Sequence, residues 1–136
     1  MKTLESHHCK PTAKHRKLAR KNGDESLDQM MPTEFYAGCP DVPGYERAEI
    51  GCLMRVRGCV MPHTDNWLGD FGAGPRHQRS FFWMLAGKVH FKQDGAKSTV
   101  MYAGDWLVFD HRREHMVLSD NGLWMGAAWQ LRPTKA

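Results

Sequence analysis

The sequence predicts an all-β domain, an antiparallel sandwich or barrel of jelly-roll type, preceded by a basic tail. Short apolar runs recur between about residues 47 and 131, separated at short intervals by Gly- and Asp-containing turn signals. No stretch after residue 46 carries a convincing helical period. The length of 136 residues and 41% hydrophobic content suit one domain with a modest core.

The tail is set apart by charge. Residues 1–23 hold seven Lys or Arg and one Glu, a balance of +6 against +4 for the whole chain, so residues 24–136 are slightly acidic at −2. Apolar residues in this region are isolated (Leu4, Leu18, Leu27), so residues 1–30 are expected to be a poorly structured basic tail. Lys14, Arg16, Lys17, Arg20 and Lys21 allow a weak contact with nucleic-acid phosphates, which truncation would remove. His7, His8, Cys9 and His15 match no standard metal spacing.

Residues 31–136 form the expected domain. Residues 31–46 combine Pro, Gly, Phe35, Tyr36 and Tyr45, the composition of an irregular segment whose aromatics need burial. Residues 47–57 are expected as a strand, Gly58 ends it, and Pro62 sets a turn. Residues 66–77, with three glycines and Pro75, are expected as a loop, either a lid over a site or a plain connection. Residues 80–85 are apolar on both faces, as in a strand covered on both sides. Residues 88–92 alternate, a half-buried strand. Asp94-Gly95 is a hairpin turn, residues 99–102 the next strand, Gly104-Asp105 another turn and residues 106–109 another strand. Residues 115–118 and 123–131 complete the set around the turn at 120–122.

Four cysteines (Cys9, Cys39, Cys52, Cys59) form no C-x-x-C pair and are expected as free thiols. No apolar run approaches the ~20 residues of a membrane span, and residues 1–30 contain no signal-peptide core. The expectation is a soluble, cytoplasmic protein with no membrane contact.

The chemistry is concentrated in His63-Thr64-Asp65 and His115. With eight His and nine Asp in the chain, one H-x-D match carries little by itself. Its context carries more: a strand before it, dense strand sequence after it, then Gly104-Asp105, an apolar strand and a further His. Residues 63 and 65 leave an extended segment on the same side. If His115 faces the same barrel mouth, two imidazoles and one carboxylate cap one face of an octahedral ion. This is the ligand set of non-haem Fe(II) oxygenases. Asn66 is a candidate to orient a ligand from behind. His90, on an alternating strand, and His111, in a charged turn, are rival ligands expected at the surface.

These pieces resemble the double-stranded β-helix of the Fe(II)/2-oxoglutarate-dependent dioxygenases over about residues 47–132. The resemblance rests on His63-Thr64-Asp65, Arg79-Ser80-Phe81-Phe82, Gly104 to Asp110 and His115. Residues 124–129 resemble the closing strand of prolyl hydroxylases, and the His-Thr-Asp and Phe-Asp-x-x-x-x-His pieces resemble aspartyl/asparaginyl hydroxylases. Cupins share the barrel and a similar Gly-Asp strand before their last His. The resemblance implies a hydroxylase with His63, Asp65 and His115 as iron ligands and 2-oxoglutarate as cosubstrate. The substrate stays open among a peptide, a nucleobase and a small metabolite. The family's basic residue about ten positions past the distal His is missing, since Met125 stands there. Either Arg79 or Arg132 then binds the cosubstrate's far carboxylate, or the protein does not use 2-oxoglutarate. The second reading is a cupin-like metal-binding protein, or a metal-free binding module.

Overall fold

The structure is a computed structural model and describes residues 4–22, 29–65, 74–94, 96–120 and 122–134. Gly95, Asn121, Asn66 and the rest of the 66–73 segment, about which the sequence raised expectations, lie outside the described residues.

In chain order the elements are β1 (Ser6–His8), α1 (Ala13–Asn22), β2 (Gln29–Met30), a 3-10 turn (Thr33–Tyr36), β3 (Tyr45–Arg47), β4 (Cys52–Arg57), β5 (Val60–His63) and β6 (Arg79–Ala86). They continue with β7 (Lys88–Gln93), β8 (Thr99–Tyr102), β9 (Asp105–Phe109), β10 (His115–Leu118) and β11 (Leu123–Pro133). One sheet has the order β1-β9-β6-β11-β4-β2, with β3 alongside the end of β11, and the other has the order β5-β10-β7-β8. Neighbouring strands are antiparallel throughout. This is the expected all-β jelly-roll barrel, and no helix follows residue 46 among the described residues.

The period of two along β6 and β11 sorts the core into two layers. Phe82 and Met84 of β6, Leu107 and Phe109 of β9 and Trp124 of β11 face the second sheet, where they meet Val89, Phe91, Met101 and Val117. Phe81, Trp83 and Leu85 face the opposite way, with Met125, Ala127, Trp129 and Leu131 from β11. The doubly apolar run at 80–85 is therefore covered on both sides, as its sequence required. The chain turns from β6 to β7 at Gly87, whose φ of 89° suits glycine alone, and a Cβ there would lie 2.9 Å from the Leu123 carbonyl oxygen.

The outer cover comes from the segment expected to be an unstructured tail, and that expectation is corrected for residues 4–22. β1 pairs with β9, with His7 opposite Trp106. Helix α1 lays Ala19 into the outer core beside Met31 and Phe35, with Leu18 and Cys9 packed against them. The sequence signal was weak because the buried groups here are small or polar. His15 is the clearest case, at 1% exposed. Its ring packs 4.8 Å from Phe35 and 5.1 Å from Trp83 between centroids. Its Nε2–H donates to the Ala37 carbonyl at 2.8 Å, and its Nδ1 accepts the Thr12 N–H at 3.0 Å. The Thr12 hydroxyl accepts the His15 N–H at 3.1 Å. These two reciprocal bonds form a capping box in which histidine replaces the usual Glu or Gln. His15→Ala removes the box and a core ring together, so it should destabilise the fold by about 2–4 kcal/mol. His15→Gln, which keeps a side-chain acceptor, should lose less. Denaturant midpoints at unchanged slope would measure both.

The segment at 31–46 packs as expected, with Phe35 fully buried. The Tyr36 hydroxyl accepts the Gly51 N–H, and the Arg47 guanidinium stacks 4.0 Å above the Tyr36 ring. All four cysteines are free. Burial pushes the Cys39 thiol up to about 12, so it stays protonated and inert at neutral pH. Among the described residues, no helix is long and apolar enough to cross a membrane.

Candidate metal centre

His63 is the last residue of β5, not part of a loop, and it stands directly opposite His115 in the β5–β10 pairing. Pro62 and the short length of β5 hid this strand in the sequence. Two residues further on, the Asp65 N–H donates to the His111 carbonyl at 2.9 Å, which fixes the backbone that carries the carboxylate. On β10, His115 and Val117 are buried, while Met116 is half-buried and Leu118 exposed, as the alternation predicts.

The three side chains converge. One ligand atom from each of His63, Asp65 and His115 lies within 4.8 Å of the others. The Asp65 carboxylate is 2.9 Å from His115 Nε2 and 3.3 Å from His63 Nε2. The imidazole centroids are 4.4 Å apart. Ligands bound cis at ~2.1 Å are about 3 Å apart, so this spacing suits one small cation.

The hydrogen bonds behind the rings sharpen the assignment. His63 Nδ1–H donates to the Met61 carbonyl at 2.8 Å, and His115 Nδ1–H to the Arg113 carbonyl at 2.9 Å. Each ring is thus held by the carbonyl two residues before it. A carbonyl only accepts, so each Nδ1 carries a proton and each ring turns its Nε2 towards the carboxylate, the atom left bare in the Nδ1–H tautomer. Two bare nitrogens and a carboxylate facing each other repel unless a cation or an added proton lies between them. Backbone carbonyls thus orient both rings; Asn66, the sequence's candidate for that role, lies outside the described residues.

The triad opens onto a cavity of about 380 Å³ between the sheets. Its walls include Phe82, Phe91, Phe109, Val117 and Trp124, and its polar lining beyond the triad includes Ser80 and Gln130. The Phe109 ring centroid is 4.7 Å from that of His115, and Phe91 stacks 6.1 Å from it. The apolar wall thus runs up to the His115 ring. Sequence reasoning missed Ser80 and Gln130. The signal was their phase: Ser80 shares the inward face of β6 with Phe82, and Gln130 that of β11 with Trp124 and Ala128.

His111 corrects another expectation, being buried at 3% exposed instead of lying at the surface. Its Nδ1 is 2.8 Å from the Ser80 hydroxyl. Burial pulls its imidazole below the ordinary value, and the carboxylates of Asp65 and Asp110 offset this only in part. It braces the site through its own carbonyl and through Ser80. His90 sits half-buried on β7, opposite Leu118 and Val100. Neither rival belongs to the convergent group.

Of the two arginines, Arg79 lies in phase with the outward-facing Phe81 and places its guanidinium 3.4 Å from Asp110. Arg132 donates to Glu46 at 2.9 and 3.1 Å. Neither lines the cavity. Asp110 is held at about 2, chiefly by hydrogen bonds from Arg112 and further by Arg79. A carboxyl lowered in the folded state stabilises it above the ordinary carboxylate value and loses that contribution as pH falls from about 4 towards 2. Asp110→Asn should therefore flatten the acid limb of stability in that window, as read from denaturant midpoints against pH.

Comparison with known proteins agrees with the fold. A cupin superfamily protein from Desulfitobacterium hafniense matches with a TM-score of 0.51 at 12% identity, over 97% of this chain and 97% of that one. A conserved protein with a double-stranded β-helix domain from Klebsiella pneumoniae matches with a TM-score of 0.52 at 11% identity, over 87% of this chain and 89% of that one. A conserved protein of unknown function from Streptococcus pyogenes matches with a TM-score of 0.53 at 9% identity, over 98% of this chain and 96% of that one. No protein-family model matches the chain, and no curated protein does. At these identities the likeness establishes the fold, a cupin-type double-stranded β-helix.

Proposed function

We propose that this cupin-type barrel is a mononuclear metalloenzyme that binds a divalent ion, Fe(II) by ligand preference, and oxidises a compact apolar substrate held beside it. One observation carries the reading: His63, Asp65 and His115 converge at the wall of an apolar cavity, with the Nδ1 of each imidazole held on a backbone carbonyl and Nε2 turned to the carboxylate. Two nitrogens and one carboxylate on one face suit non-haem Fe(II). When bound, such an ion supplies a Lewis-acidic centre with open positions for oxygen and substrate. The chain's own residues do the rest. The Met61 and Arg113 carbonyls hold the rings, Phe91 and Phe109 exclude water beside His115, and the aromatic wall positions the substrate.

This reading departs from the oxoglutarate expectation. Among the described residues no Lys or Arg lines the cavity, and residues 66–73 contain none. A dicarboxylate buried without a cationic partner is costly. Anaerobic Fe(II) protein mixed with 2-oxoglutarate should therefore develop no chelate absorption band. A band that Arg79→Ala or Arg132→Ala weakens would restore oxoglutarate dependence. Metal analysis of protein purified without a His-tag tests the reading as a whole. A wild-type protein that takes up neither Fe(II) nor Co(II) would reduce the cavity to a metal-free binding module.

A further inference from the structure

Gln130 is a neutral amide in an unusual place. It lies on β11, in the strand phase that faces the second sheet, and it lines the same cavity as the triad. The residue is 3% exposed, and its Oε1 is closed off from water with no hydrogen-bond partner among the described residues. A buried carbonyl oxygen left in that state has lost its water without gaining a partner, which destabilises the fold. Ser80, directly opposite across the β6–β11 pairing, makes no hydrogen bond to this oxygen, and its hydroxyl lies 2.8 Å from the buried His111 ring. A Leu or Met at position 130 would pack against the same apolar walls without this penalty. A rotation of the terminal amide brings Oε1 to the cavity at little cost, since that torsion is soft.

The rest of the cavity narrows what meets it. Among the described residues its lining outside the triad is uncharged, and Phe82, Phe91, Phe109 and Trp124 supply flat apolar surface. A volume of about 380 Å³ lies at the small end of ligand sites.

We infer that Gln130 is the specificity-determining residue of this cavity, accepting a hydrogen bond from a hydroxyl or N–H group on a compact, uncharged, apolar-bodied ligand. The inference rests on the proposed reading of the cavity as a substrate site. It does not need the metal.

The test uses 2-naphthol, which donates a hydrogen bond, and 2-methoxynaphthalene, which has the same ring system and no donor. Both are titrated calorimetrically into the full chain after chelator treatment, so that coordination cannot produce a preference. Wild type should bind naphthol about fivefold or more tightly than the methyl ether, the increment of one hydrogen bond. Gln130→Met, nearly isosteric but without the acceptor, should bind the two alike while keeping its affinity for the ether. Equal affinities in wild type, a preference that survives in Gln130→Met, or no binding of either compound to wild type would each overturn the inference. Equal affinities in wild type overturn the inference by themselves, and Gln130→Leu takes the place of Gln130→Met if that variant fails to fold. A parallel Co(II) titration of wild type separates the two claims. Loss of the metal reading leaves the naphthol preference standing, and loss of the preference leaves Co(II) binding standing.

Discussion

Asp65→Ala should lower the affinity for Co(II) or Fe(II) by at least a hundredfold while the thermal midpoint stays within a few degrees of wild type. Disturbing only the groups behind a metal ligand commonly weakens binding ten- to a hundredfold, and this change removes the one charged ligand itself. It also leaves two imidazoles whose Nε2 atoms face each other across the space the carboxylate filled. The fold should tolerate the change, because Asp65 is held by its own backbone N–H on the His111 carbonyl, and that bond survives. His115→Ala makes a useful contrast. That ring is packed against Phe91 and Phe109, so its removal should weaken metal binding and stability together. Equilibrium titration with a competing chelator, alongside thermal melts, would read both quantities. Unchanged metal affinity in Asp65→Ala would remove the triad from consideration.

The largest effect on stability is expected at Trp83. Its ring is fully buried in the outer core beside His15 and Phe35. Its indole N–H donates to the Cys9 carbonyl at 2.8 Å and to the Gly104 carbonyl at 3.2 Å. One side chain thus joins the basic segment, the 3-10 turn, the large sheet and the turn into β9. Trp83→Ala should destabilise by about 4 kcal/mol through the void it leaves and the orphaned Cys9 carbonyl. Trp83→Phe, which keeps much of the packing and loses only the donor, should lose about 1–2 kcal/mol. Chemical denaturation with a common slope would measure both. A loss below 1 kcal/mol in Trp83→Ala would mean that residues 4–22 do not cover the sheet in solution.

The barrel and the triad were legible because both depend on short, regular spacings. Alternation fixes which side of β7 and β10 faces the interior, and a Gly-Asp turn before an apolar strand sets His115 at a known distance. The outer cover was not legible, because its burial is carried by Ala19, Cys9 and His15 instead of large apolar side chains. A cue was nonetheless present. A strand apolar on both faces needs a second cover, and residues 31–46 and the basic segment were the stretches left to supply it. His111 was misjudged for a related reason. The charged neighbours Asp110, Arg112, Arg113 and Glu114 suggest solvent, yet the turn folds inward to meet Ser80. The oxoglutarate expectation rested on a resemblance that supplied a cosubstrate without supplying its cation.

The central claim is that one divalent ion is held by His63, Asp65 and His115. Anomalous diffraction at the cobalt edge, from crystals grown with Co(II), tests it most directly. The account predicts a single strong peak bonded to Nε2 of His63, Nε2 of His115 and a carboxylate oxygen of Asp65. A peak held by other side chains, or no peak between these three at saturating Co(II), would contradict it.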